Sequence, residues 1–133
     1  MLNTSSLDTN ILVRLITNDN KRQSALARKL LTSETDHFVI DDVAIMETVH
    51  VLESCYNQSR EEIVDNLKAV FSCGSVVYTF EAVEEVFPLY LSHPKLSFND
   101  IYLSVKSEQK SAEPLWTFDK KLASQLQSPK MLV

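Results

Sequence analysis

Residues 6–15 read SLDTNILVRL, an Asp-Thr-Asn triplet followed at once by apolar side chains. Ile11, Leu12, Leu15 and Ile16 recur at the three- and four-residue spacing of one helix face, so a helix is expected directly after the triplet. Asp8 then has two readings. As a helix cap, its carboxylate, or the Thr9 hydroxyl in its place, accepts from the free backbone N–H groups of the first turn. As a metal ligand, the same carboxylate marks the end of a strand that delivers it to an active site. The rest of the chain has to decide between them.

Working outward, residues 22–32 carry Leu26, Leu30 and Leu31 on one side of a second expected helix, and residues 37–40 read as a short strand. A third helix is expected over 43–56. Ser59-Arg-Glu-Glu62 is a capping box, in which the Ser59 hydroxyl and the Glu62 carboxylate each satisfy a free backbone N–H. The helix it opens has Ile63, Leu67, Val70 and Phe71 as its apolar face. Residues 75–80, SVVYTF, predict a strand, and residues 81–91 a helix that Pro88 must kink or restart. A helix over 99–109, a strand over 114–118, a helix over 120–126 and a short apolar end at 131–133 complete the chain. Strands alternating with helices predict an α/β fold with a mostly parallel sheet flanked by helices. Such sheets bind ligands beyond the carboxyl ends of their strands.

The 133 residues suit one globular domain, 1–133. Two cysteines, Cys55 and Cys73, are too few for a disulfide framework and are read as buried free thiols. His37, His50 and His93 lack metal-ligand spacing, which removes most zinc chemistry. The net charge of −5 argues against broad electrostatic wrapping of nucleic acid but leaves room for a local basic patch. No basic flank with an apolar leader opens the chain and no apolar run is long enough for a bilayer, so a soluble cytoplasmic protein with no membrane association is expected.

Four acids stand out. Asp8 is expected at the carboxyl end of a first strand, Asp100 in the first turn of a helix, and Asp119 just after the strand PLWTF. Taken singly, each is a good helix cap or a complement to the helix dipole, worth roughly 0.5–2 kcal/mol. Glu47 differs, since Val43, Ala44, His50 and Val51 lie one turn away and suggest a carboxylate projecting from an apolar strip. A charge there is costly unless something pairs it. Gathered at one end of a sheet, these carboxylates would repel one another, and a cation would neutralise them. Oxygen ligands without His or Cys suit Mg²⁺ or Mn²⁺, and such an ion serves phosphodiester hydrolysis.

LDTNILVRL, the acid within VAIMETVHVLES, NDIYLS with Asp100 and PLWTFDKKLA with Asp119 together resemble the PIN-domain ribonucleases, most of all the VapC-type toxins of toxin–antitoxin pairs. The resemblance implies a three-layer PIN-like fold and a metal cluster of Asp8, Glu47, Asp100 and Asp119, with Asp8 and Asp100 as direct ligands. It also implies that Asn10 and Thr117 orient carboxylates or a bound water. Arg14, Lys120 and Lys121 are candidates for RNA phosphate contacts, weighed against plain solvated helix residues. The partners implied are an RNA substrate and a cognate antitoxin laid over the apolar residues of 12–16 and 26–31, and homodimers are common in such proteins. An inactive PIN-like RNA- or protein-binding module, or a nuclease of RNA processing, is the alternative. A haloacid-dehalogenase-type phosphatase needs a second aspartate where Asn10 stands, and the residue pattern of a receiver domain is not met. Departures from the resemblance are the polar Asn3-Thr4-Ser5-Ser6 before the triplet, Ser97 in place of a further acid, and the bulky Ile101-Tyr102 after Asp100. A short, weakly packed first strand is therefore expected.

Overall fold

A computed structural model describes residues 3–78 and 84–133. The chain is α/β, and it divides into two compact units, Met1–Phe80 and Glu81–Val133.

The first unit holds β1 (Asn3–Ser6), α1 (Thr9–Ile16), α2 (Lys21–Leu31), β2 (Asp36–Ile40), α3 (Asp42–Ser54), α4 (Arg60–Phe71) and β3 (Val76–Tyr78). Its sheet is parallel, in the order β1-β2-β3, with Ser5 opposite Phe38 and Phe38 opposite Val76. The pairing extends past β1 through the Leu7 N–H to the Val39 carbonyl at 3.0 Å, so the chain stays fixed right up to Asp8. Phe38 and Ile40 share one face of β2 and are buried, whereas all four residues of β1 are exposed. The short, weakly packed first strand is thus observed. It follows from Asn, Thr and Ser offering hydrogen bonds but little apolar area.

Helix α1 packs against α2, α3 and α4, with Leu12 and Val13 as its buried residues. From α3 come Ile45, Val49 and Leu52, and from α4 Ile63, Val64, Leu67, Val70 and Phe71, which includes the whole apolar face expected for that helix. The capping box is present, with Ser59 accepting from the Glu62 N–H at 3.1 Å and Glu62 from the Ser59 N–H at 3.2 Å.

Leu26 and Leu30, on the expected leucine side of the second helix, lie outside the core. On α2 the buried residues are Ser24 and Ala27, while Leu26 and Leu30 are 56% and 42% exposed. The helix turns its small side chains inward because Ser24 bonds the Thr17 carbonyl at 3.0 Å, which draws that face close to the end of α1. One expectation about this unit fails, since the cysteines are not buried thiols. Cys55 is exposed and Cys73 half-buried, because they sit at or past the C-terminal ends of α3 and α4 rather than in the helix bodies.

The second unit holds α5 (Val86–Ser92), α6 (Phe98–Gln109), β4 (Leu115–Thr117), α7 (Lys120–Gln125) and β5 (Pro129–Met131). Residues 79–80 of the expected third strand and 81–83 of the expected fifth helix lie outside the described residues. Pro88 falls in the first turn of α5, where its missing N–H costs nothing. Phe87, Tyr90, Phe98, Ile101 and Val105 form the buried centre, with the Tyr90 and Phe98 rings edge to face at 5.3 Å. Strands β4 and β5 pair in parallel, Trp116 opposite Lys130. Strand β5 was expected only as an apolar tail, displaced towards residues that the structure leaves exposed, Leu132 and Val133. Among the described residues, no helix is long and apolar enough to cross a membrane.

Candidate active site

Asp8 follows β1 and is the N-cap of α1, with Oδ1 accepting from the Ile11 N–H at 3.1 Å. Both readings of the triplet therefore share one geometry. The cap uses Oδ1 and leaves the second carboxylate oxygen for something else. Thr9, the first residue of α1, donates its hydroxyl to Glu47 Oε2 at 2.8 Å. This bond ties the carboxylate of α3 to the residue next to Asp8. The sequence offered Thr9 only as an alternative cap for this helix, and nothing local marks its bond to Glu47.

Glu47 itself corrects the sequence reading. It is exposed, as are Val43 and His50 beside it, because α3 buries the face carrying Ile45, Thr48, Val49 and Leu52 instead. The apolar strip around Glu47 lies on the outer side of the helix, so its carboxylate bears no burial cost. What singles Glu47 out is its bond from Thr9.

Asn10 and Asp8 line a cavity of about 740 Å³ together with Arg14, Gln23, Leu26 and Leu30. Arg14 is not a plain solvated helix residue. Its guanidinium pairs with Asp19 at 2.7 Å and donates to Gln23 Oε1 at 2.7 Å and the Tyr56 hydroxyl at 3.3 Å. The Tyr56 hydroxyl also donates to Asp19, and Thr17 adds a third bond at 3.1 Å. The Tyr56 and Thr17 hydroxyls and the Arg14 charge hold the Asp19 carboxyl below the usual carboxylate range.

In the second unit, Asp100 lies in the first turn of α6 and is half-buried, and its N–H donates to the Ser97 hydroxyl at 3.1 Å. Ser97 thus caps the helix that carries Asp100, leaving the Asp100 carboxylate free of the capping task. Asp119 caps α7, with Oδ1 accepting from the Lys121 and Leu122 N–H groups at 2.9 and 3.3 Å. The Thr117 hydroxyl accepts from the Asp119 N–H at 3.0 Å. Thr117 therefore fixes the backbone that presents Asp119. Lys120 and Lys121 are exposed.

None of the four carboxylates has a Lys or Arg ion-pair partner among the described residues. Each keeps at least one oxygen that takes no hydrogen bond there. An all-carboxylate donor set with open oxygens fits a hard divalent ion. Asp8 and Glu47 belong to the first unit, and Asp100 and Asp119 to the second. Within each unit the described residues form no metal-holding group of three or more His, Cys, Asp or Glu side chains.

Comparison with curated proteins found no match. The family model of the PIN domain matches residues 6–125, a span that contains all four acids, Thr9 and Thr117.

Proposed function

This chain belongs to the PIN-domain family, whose members are generally nucleases, and we propose that it is a divalent-metal-dependent endoribonuclease, the toxin of a toxin–antitoxin pair. The observation that carries this reading is the construction at the start of α1. Asp8 stands between β1 and α1 with one oxygen uncommitted, and the next residue holds Glu47 by a 2.8 Å bond. A helix cap alone has no use for that second carboxylate.

In this reading Asp8, Glu47, Asp100 and Asp119 bind Mg²⁺ or Mn²⁺, with Asp8 and Asp100 as direct ligands. The chemistry such an ion supplies when bound is activation of water and neutralisation of charge on the phosphodiester. The chain's own contribution is placement. Thr9 orients Glu47, Ser97 relieves Asp100 of capping α6, and Thr117 sets the turn that presents Asp119. Lys120 and Lys121 offer cations to RNA phosphates on the helix that Asp119 starts. Arg14 lines the cavity beside Asp8, with Nε and Nη1 engaged by Gln23, Asp19 and Tyr56 and Nη2 left to contact an RNA phosphate.

The antitoxin's apolar segment, in this account, covers exposed Leu26 and Leu30 on the wall of that cavity, whereas Leu12 and Val13 belong to the core. The test is cleavage of RNA by wild type, Asp8→Asn and Asp100→Asn with and without Mg²⁺. Loss of cleavage in both variants, with folding intact, is expected. Cleavage at the wild-type rate by both overturns the assignment. A small neighbouring gene for a DNA-binding antitoxin supports the toxin role; its absence favours a nuclease of RNA processing.

A further inference from the structure

We propose that Trp116 and Phe118 form a stacking platform for the bases of single-stranded RNA, beside Asp119. The proposal rests on the nuclease reading for its choice of ligand. Trp116 is 56% and Phe118 77% exposed, although exposing two large rings so close together leaves apolar area in water. They stand two residues apart, Trp116 in the middle of β4 and Phe118 in the bend that leads from it to Asp119, while Leu115 and Thr117 before and between them are half-buried.

The platform is rigid. The Thr117 carbonyl accepts from the Leu132 N–H at 3.0 Å, and its hydroxyl accepts from the Asp119 N–H, so the backbone on both sides of Phe118 is fixed. Rings held in place lose little freedom on binding. The patch is also locally basic. Lys130, opposite Trp116 in the register, places Nζ 5.9 Å from the centre of the Trp116 ring, and exposed Lys120 and Lys121 follow Asp119.

Rings with interspersed cations match the chemistry of an unpaired strand, whose bases stack and whose phosphates carry charge. Duplex RNA hides its base faces and offers nothing to stack. The net charge of −5 makes non-specific wrapping a poor source of affinity, which leaves stacking to supply it.

Trp116 is the chain's one tryptophan and reports directly on this face. The full chain is titrated in EDTA with a fluorescein-labelled single-stranded RNA of about eight nucleotides, within the span of typical single-strand sites, and with a duplex of the same sequence. Binding is read by anisotropy, and Trp116 emission is followed with unlabelled RNA. The single strand is expected to bind and quench Trp116, and the duplex to bind more weakly. Trp116→Ala and Phe118→Ala should each weaken binding by roughly 5- to 150-fold, the range for losing one stacked base. Trp116→Phe should restore most of it. Unchanged affinity in both alanine variants, no binding by wild type, or equal binding of duplex overturns the proposal. So does a dimer that both substitutions dissociate without changing RNA affinity, which would assign the patch to a second copy of the chain. Cleavage with Mg²⁺ is measured separately. Wild-type cleavage with unaffected variants removes only the platform, and platform-dependent binding without cleavage removes only the nuclease.

Discussion

Substituting Asp8 in two ways separates the roles that its carboxylate combines. Asp8→Asn keeps a side-chain oxygen where the Ile11 N–H donates at 3.1 Å, and Asn caps helices about as well as Asp. Only the favourable charge at the helix start is lost, about 0.3–1 kcal/mol at an exposed site. Asp8→Ala removes the cap as well, which typically costs about 1 kcal/mol more. For a chain of this length, 1 kcal/mol corresponds to roughly 3–5 °C in Tm. Thermal unfolding by circular dichroism should therefore rank wild type, Asn and Ala in that order, with the larger step at Ala. Metal-dependent RNA cleavage should follow a different order. Both variants should lose more than the about 10- to 100-fold that an outer-shell group costs. Equal Tm losses in the two variants would refute the cap geometry. An Asn variant that cleaves like wild type would refute the metal role, leaving Asp8 a cap and nothing else.

Other outcomes follow from the same structure. Leu12→Ala, at a fully buried position on α1, should lower stability by about 2–5 kcal/mol in urea unfolding. Tyr56→Phe removes the hydroxyl that most depresses the Asp19 carboxyl. Because Asp19 titrates lower folded than unfolded, its contribution is present above the unfolded pKa and vanishes as pH falls through the folded one. The stability gap between wild type and Tyr56→Phe should therefore narrow across that acidic range in urea titrations. Glu108 is the opposite case, its carboxyl pushed up by burial and then by Glu113 and Glu85. Glu108→Gln should stabilise the protein near neutral pH, and the gain should disappear as pH falls below the unfolded carboxylate range.

How much of this was legible beforehand depended on the kind of signal. The capping box at Ser59 and the apolar face of α4 were written locally, in hydroxyl, carboxylate and period, and the structure has them in place. Asp8, Asp100 and Asp119 were placed at a strand end, a first turn and a strand end for the same reason. Glu47 was misjudged because period alone does not say which face of a helix turns inward. Val43 sits beside it, yet is 64% exposed, because the core takes Ile45 and Val49 instead. Period likewise left open whether Leu26 and Leu30 face the core, where the small Ser24 and Ala27 pack instead. Strand β5 was unreadable, being three residues long, opened by proline, and defined only by its pairing with β4. The Thr9–Glu47 bond joins residues far apart in sequence and has no local mark.

Calorimetric titration of the folded chain with Mn²⁺, free of any choice of RNA, tests the central claim most directly. Saturable binding that Asp8→Asn and Asp100→Asn each weaken, at unchanged secondary structure, is the result the carboxylate site predicts. Absence of binding to the folded wild-type chain, or binding indifferent to both substitutions, would contradict it.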